Sequence, residues 1–236
     1  GFHNVSTYGN LLRLIAEGKL PASDWECRYY ELALRASGAV QAARWASLPS
    51  GGGYVYSFNG PHSLLADTMR SMRVLELADK LGGVLLAEND ARVDLLERAL
   101  AHAEATARYI VYCGEGRDAY DVRGRVAHEA IFNRVDGAFR CPSTQQGYSP
   151  FTTWTRALAC IVLYLSVDPE HEGLLLHAIY HRPQGWDHVP DGRAHPCGEA
   201  TMWGDYHLLE LGVMLARMKD DAPWHAFFNV GEGIDA

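Results

Sequence analysis

An all-α fold, made of sequential helical hairpins of the kind that close into an α/α toroid, is what this sequence predicts, on three observations. Apolar residues recur at helical spacing over long stretches, loops rich in glycine and proline separate those stretches, and few segments alternate with period two. At 236 residues with 48% apolar content, the chain is long enough to bury a large core. Residues 1–236 are expected to form a single domain of that α/α-barrel type.

Residues 5–16 read as the first helix. Ser23 followed by Glu26 has the form of a capping box, and residues 24–45 then carry Tyr29, Leu32, Ala33, Ala36, Val40 and Ala43 at helical spacing. That is a helix of about six turns. Residues 47–53 are a breaker, followed by a short aromatic run over 54–58 and the Asn59-Gly60-Pro61 turn. A helix over 62–81 stops at Gly82-Gly83, where glycine can adopt the left-handed cap conformation. Another over 90–111, rich in alanine and leucine, ends before Gly114. The polar stretch 114–149 contains two pieces, 126–133 and 137–140, that read as a short hairpin, and so long a loop in a helical domain is usually functional. Helices are also expected over 152–166, 174–180 and 199–218.

The formal charge of −8 and the lack of a lysine-rich run argue against a nucleic-acid surface, so any anionic ligand must be met by a few placed arginines. No run of about 18 apolar residues is present to span a membrane. The five cysteines, Cys27, Cys113, Cys141, Cys160 and Cys197, are odd in number and form no C-x-x-C pair. Free thiols in a reducing compartment, the cytoplasm, are the expectation. A chain that starts at Gly1 leaves a periplasmic or secreted location open.

Asp67 is the most informative single residue. On a wheel of about 100° per residue it lies roughly 150° from the charged face of Arg73, Glu76 and Lys80, on the side of Val74, Ala78 and Leu81. A carboxylate on an apolar face must be partnered, protonated or turned into a wet cavity. The last two suit a general acid, since burial raises a carboxyl pKa. A structural cap, or a pair with Arg70 at i+3, competes with that reading.

A second constellation lies in residues 143–156, a polar, glycine-containing loop leading into a helix that carries Trp154 and Arg156. Tryptophan offers a flat apolar face to a sugar ring, Gln146 offers amide contacts to hydroxyls, and arginine offers a fork to a carboxylate. Together they suit an acidic oligosaccharide. Other chemistries have less support: His177 and His181 stand at i, i+4, yet no H-E-x-x-H and no carboxylate or thiol at metal-ligand spacing accompanies them. No G-x-S-x-G elbow occurs, and Gly51-Gly52-Gly53 lacks the Lys-Ser/Thr of a phosphate cradle.

The order of several motifs resembles the unsaturated glucuronyl hydrolases and the related unsaturated rhamnogalacturonyl hydrolases. It runs from Asp67-Thr-Met69 through the His-Ala-x-x-Thr of His102 to Thr106, then His128, Thr144-x-Gln-Gly-Tyr148 and Trp154-Thr-Arg156, with a later Gly204-Asp-Tyr-x-Leu-Leu-Glu210. The resemblance implies an α/α six-hairpin barrel that removes a 4,5-unsaturated uronic acid from oligosaccharides left by polysaccharide lyases, with no metal or organic cofactor. It places Asp67 as the catalytic acid/base and His128, Gln146, Trp154 and Arg156 as substrate contacts. The implied chemistry is protonation of the ring double bond, addition of water at the neighbouring carbon, and opening of the hemiketal. It differs from two-carboxylate displacement at the anomeric carbon.

Three departures accompany it. The family's upstream His-Asp-x-Gly-Phe motif, which holds a second aspartate, is absent unless Gly1-Phe2 are its last two residues. Twelve barrel helices need roughly 300 residues or more, so a segment is expected to be missing near 167–171. The family's Gly-x-Ala-Trp after the arginine is here Ala157-Leu-Ala-Cys160. A glycosidase or lyase of different sugar specificity, or a non-catalytic carbohydrate-binding relative, is the alternative expectation.

Overall fold

The computed structural model describes residues 1–87, 89–151, 182–187, 189, 191–194, 205, 208–209, 212, 215–216 and 218–221. The chain enters through α1 (Phe2–Asn4), a π-helical turn (Val5–Gly9) and α2 (Asn10–Ala16), covering the first predicted helix. α3 (Asp24–Ala43) begins where the capping box places it: Ser23 Oγ accepts from the Glu26 N–H at 3.3 Å, and the Glu26 carboxylate accepts from the Ser23 N–H at 2.8 Å. These two bonds satisfy donors that the first helical turn leaves open. Arg44 then leaves helical geometry and Trp45 starts β1 (Trp45–Ser47), paired antiparallel with β2 (Gly53–Val55).

After the 59–61 turn come β3 (Ser63–Leu65), a 3-10 turn (Ala66–Ser71) and α4 (Met72–Lys80). α4 ends as the sequence indicates, with Gly82 at φ 71° and the Gly83 N–H donating back to the Ala78 carbonyl. α5 (Leu95–Tyr109) starts later than expected because the Asp94 side chain caps it, accepting from the Glu97 N–H at 2.8 Å. The predicted hairpin exists as β4 (Glu129–Phe132) and β5 (Phe139–Ser143), and β3 joins it to give an antiparallel sheet ordered β3-β4-β5.

The all-α expectation, with its α/α six-hairpin barrel, is therefore overturned: the described residues form helices together with two antiparallel sheets. Strand length and burial explain the miss. β2 and β3 are three residues each with every residue buried, so neither can show the alternation that marks a half-buried strand. The helix expected over 62–81 is likewise broken, because residues 63–65 pair with Glu129–Ile131 and the helix forms only afterwards.

Two cores meet at α5. Ala99 and Leu95 join Leu34, Val74, Leu75 and Ala78 between α3, α4 and α5, while Ala105, further along α5, joins Tyr54, Leu64, Ile110, Ala130 and Phe132 over the three-stranded sheet. α3 and α4 approach closely at Gly38, where an added Cβ would stand 2.2 Å from the Ala78 Cβ and 2.9 Å from the Val74 carbonyl oxygen. The helices expected over 152–166 and 174–180, and the segment expected to be missing near 167–171, lie outside the described residues. Of 199–218, the described positions Asp205, Leu208, Leu209, Gly212, Leu215, Ala216 and Met218 are helical. Among the described residues no helix is long and apolar enough to cross a membrane.

Candidate functional site

Asp67 stands in the first turn of the 3-10 segment, directly after β3. A 3-10 helix has three residues per turn, so side chains at i and i+3 eclipse. Asp67 and Arg70 are accordingly ion-paired through Oδ2 and an Arg70 terminal nitrogen, and each side chain is 11% exposed. Of the sequence readings of Asp67, the pair with Arg70 is the one seen at rest. The Arg70 guanidinium also lies 3.7 Å over the Phe2 ring.

This pair forms one side of a cleft of about 130 Å³, whose other walls include Arg44, Tyr56, Ser57, Phe58 and Leu65. Arg44 sits 5.2 Å from the Tyr56 ring centroid and has no salt bridge among the described residues. Two guanidiniums against one carboxylate leave the cleft positively biased in an acidic protein. Its size is below the roughly 300–1,000 Å³ of a drug-sized ligand site, so it suits one end of a ligand. A larger groove, about 490 Å³, lies by Pro49, Tyr54, Phe132 and Arg134 and shares no residue with the Asp67 cleft.

His128 and Gln146 are held near Asp67 by a chain of hydrogen bonds. The Ala66 N–H donates to the His128 carbonyl at 2.9 Å, fastening the start of the Asp67 turn to the start of β4. His128 Nδ1 lies 2.8 Å from Thr144 Oγ1, which itself accepts from the Gln146 N–H at 3.2 Å and the Gly147 N–H at 2.9 Å. With both acceptor positions of the hydroxyl filled, its proton goes to Nδ1, and a neutral His128 ring carries its own proton on Nε2. His128 is 1% exposed and does not line the described cleft; neither does Gln146. Trp154 and Arg156, the other two expected contacts, lie outside the described residues.

His102, from the same motif series, is fully buried on α5 and accepts the Val55 N–H on Nδ1 at 3.1 Å. Burial pushes its pKa down to about 4, so it is a neutral structural acceptor near neutrality. Among the described residues no cluster of three or more His, Cys, Asp or Glu is arranged to hold a metal ion. Cys27, Cys113 and Cys141 are free thiols, while Cys160 and Cys197 lie outside the described residues.

Arg44, Ser57 and Glu129 belong to the cleft or its support, and sequence reasoning passed over them. Arg44 fell inside the helix expected over 24–45, and Glu129 inside the first piece of the expected hairpin, 126–133. The signal in the sequence was faint: a glutamate flanked by Ala127, His128, Ala130 and Ile131, an apolar setting for a charge.

No protein-family model matches the chain, and no curated protein does. Two solved structures are similar to it over 94% of this chain and 76% of theirs. One is a UGL variant described with the oligosaccharide dGlcA-Glc-Rha-Glc, at 15% identity and a TM-score of 0.49. The other is the unsaturated glucuronyl hydrolase of Bacillus sp. GL1, described as responsible for the degradation of glycosaminoglycan, at 14% identity and a TM-score of 0.48. At that identity and superposition neither match decides activity or substrate.

Proposed function

We propose that this protein is a glycoside hydrolase that hydrates the 4,5-double bond of an unsaturated uronic acid at the end of an oligosaccharide, with Asp67 as the proton donor. The observation that carries the reading is the hydrogen-bond chain from Ala66 through His128 and Thr144 to Gln146, which gathers separate motifs of the resemblance beside one positively biased cleft. A uronate carboxylate entering that cleft competes with Asp67 for Arg70, and Arg44 is a second guanidinium within reach of the same space. Once freed and protonated, Asp67 delivers its proton to one carbon of the double bond, and water adds at the other. The hemiketal so formed opens and releases the remaining sugar, and the proton lost from the water restores the acid.

On this reading Gln146, Trp154 and Arg156 contact the sugar, and His128 holds the 144–147 turn that carries Gln146. The test is loss of the ultraviolet absorbance of the conjugated double bond across a panel of polysaccharide-lyase products, with wild type and Asp67→Asn compared. Loss with wild type and a decrease of roughly 10²-fold or more with the variant is the expected result. Full activity in Asp67→Asn, or no loss of absorbance with any product, overturns it.

A non-catalytic carbohydrate-binding protein is the second reading, favoured by the resting Asp67–Arg70 pair, which occupies the proposed acid. Saturable binding of the same oligosaccharides with no change in absorbance decides for it.

A further inference from the structure

Glu129 is a carboxylate with no solvent exposure, and among the described residues its Oε2 has no hydrogen-bond partner. It stands opposite Leu65 in the β3–β4 register, and Leu65 is a wall of the Asp67 cleft. Its Oε1 accepts from Asn59 Nδ2 at 2.7 Å and from the Ser63 hydroxyl. Ser63 has one hydroxyl proton and spends it there, so in the 2.6 Å contact between Ser57 and Ser63 the donor must be Ser57. The Ser57 oxygen meanwhile accepts the Asn59 N–H at 3.1 Å.

The consequence reaches the cleft. Ser57 lines it between Tyr56 and Phe58, and its hydroxyl proton is committed inward, toward Ser63 and Glu129. What remains on its oxygen is a lone pair. The same bonds close the segment on itself, with the Ser57 N–H donating to the Ser63 carbonyl and the Gly60 N–H to the Ser57 carbonyl. The Ser63 hydroxyl and the Asn59 amide bond Glu129 directly and the Ser57 hydroxyl joins through Ser63, more than a three-residue strand pairing requires, and losing these bonds would raise the cost of burying the group.

We propose that Glu129 is a positioning residue: it locks residues 57–63 as the wall of the cleft and leaves Ser57 an acceptor there, so that the ligand group meeting Ser57 is a hydrogen-bond donor. Taking that donor to be a sugar hydroxyl rests on the function proposed above, whereas the locking of the segment does not. Glu129→Gln keeps the reach and the acceptor oxygen; Glu129→Leu removes both. Ser63→Ala cuts the relay without touching the carboxylate, and serves if the leucine variant does not fold.

Two measurements test it. Amide hydrogen exchange, read without ligand, should accelerate at Asn59, Gly60 and Ser63 by about tenfold or more in Glu129→Leu and Ser63→Ala, while Ile131 and Cys141 of the β4–β5 ladder keep their protection. Glu129→Gln should stay within about threefold of wild type. On unsaturated uronyl oligosaccharide, Glu129→Leu and Ser57→Ala should raise KM by about tenfold with kcat little changed, the mark of lost binding common to ground and transition states. Acceleration spread evenly over the whole sheet, no local acceleration, or a glutamine variant as impaired as leucine overturns the positioning role. If the wild-type protein does not turn over the oligosaccharide, the functional reading fails and the exchange result alone decides Glu129.

Discussion

The Val55 N–H donates to Nδ1 of His102 at 3.1 Å, a bond that ties β2 to α5 inside the fold and can exist only while that ring nitrogen is unprotonated. With Nδ1 accepting, the ring's one proton sits on Nε2, and a second proton would both break the bond and bury a charge.

A pH dependence of stability follows. Burial sets the folded pKa of His102 at about 4, below the 6.5 of the exposed group. Between those values the unfolded chain binds a proton that the folded chain refuses, so stability is held above about pH 6.5 and falls as the pH drops toward 4. Urea unfolding at pH 7 and pH 5 should show the wild type losing about 2 kcal/mol more than His102→Gln, from the slope of about 1.4 kcal/mol per pH unit for one proton. Parallel losses in the two proteins would remove His102 as the source.

Arg70 and Asp67 should be energetically coupled, because each is only 11% exposed and each is the other's partner in the eclipsed 3-10 turn. Arg70→Gln removes the ion pair from a mostly buried carboxylate and should destabilise by about 2 kcal/mol or more. Adding Asp67→Asn should recover part of that loss. A double-mutant cycle with a coupling below about 0.5 kcal/mol would show the pair to be incidental.

The elements legible in the sequence were those specified by short-range chemistry. Ser23 and Glu26 announced α3 because both halves of a capping box lie three residues apart, and Gly82 announced the end of α4 because a left-handed residue is needed there. The β4–β5 hairpin showed itself as two pieces flanking a turn. What stayed hidden depended on long-range pairing. Residues 63–65 carry no period of their own and become a strand only because Glu129–Ile131 lie alongside. The same pairing displaced the start of the helix, so the wheel that singled out Asp67 assumed α-helical spacing where the backbone is 3-10. What the 3-10 turn brings together is Asp67 and Arg70 at i+3, the pairing that competed with the apolar-face reading. Arg44, Ser57 and Glu129 reach the cleft region only through tertiary contacts, which no local pattern encodes.

Gly38 sets the separation of α3 and α4. A side chain there meets the Ala78 Cβ and the Val74 carbonyl, a backbone atom that cannot step aside without moving α4. Gly38→Val should therefore cost about 2–3 kcal/mol, outweighing the roughly 0.5 kcal/mol or less that leaving glycine gains in helix propensity. Gly38→Val with Ala78→Gly should regain part of the loss, since the carbonyl contact persists. Thermal unfolding of the three proteins checks this, and an unchanged midpoint in the single variant would mean the helices slide apart freely.

Thr144 joins three parts of the candidate site through one oxygen, accepting the N–H groups of Gln146 and Gly147 while its proton goes to His128 Nδ1. Thr144→Ser keeps all three bonds and should leave the protein close to wild type. Thr144→Val matches the shape but removes the hydroxyl, leaving Nδ1 and two backbone donors without it, at a cost of about 1–3 kcal/mol. The loss should also be visible at the histidine. The wild-type hydroxyl donates to Nδ1, and Thr144→Val removes that donor, so the nitrogen-15 shift of His128 Nδ1 should move in the valine variant and not in the serine one. Identical histidine spectra in the serine and valine variants would show that Thr144 does not set the ring, and that the 144–147 turn is held by its own backbone.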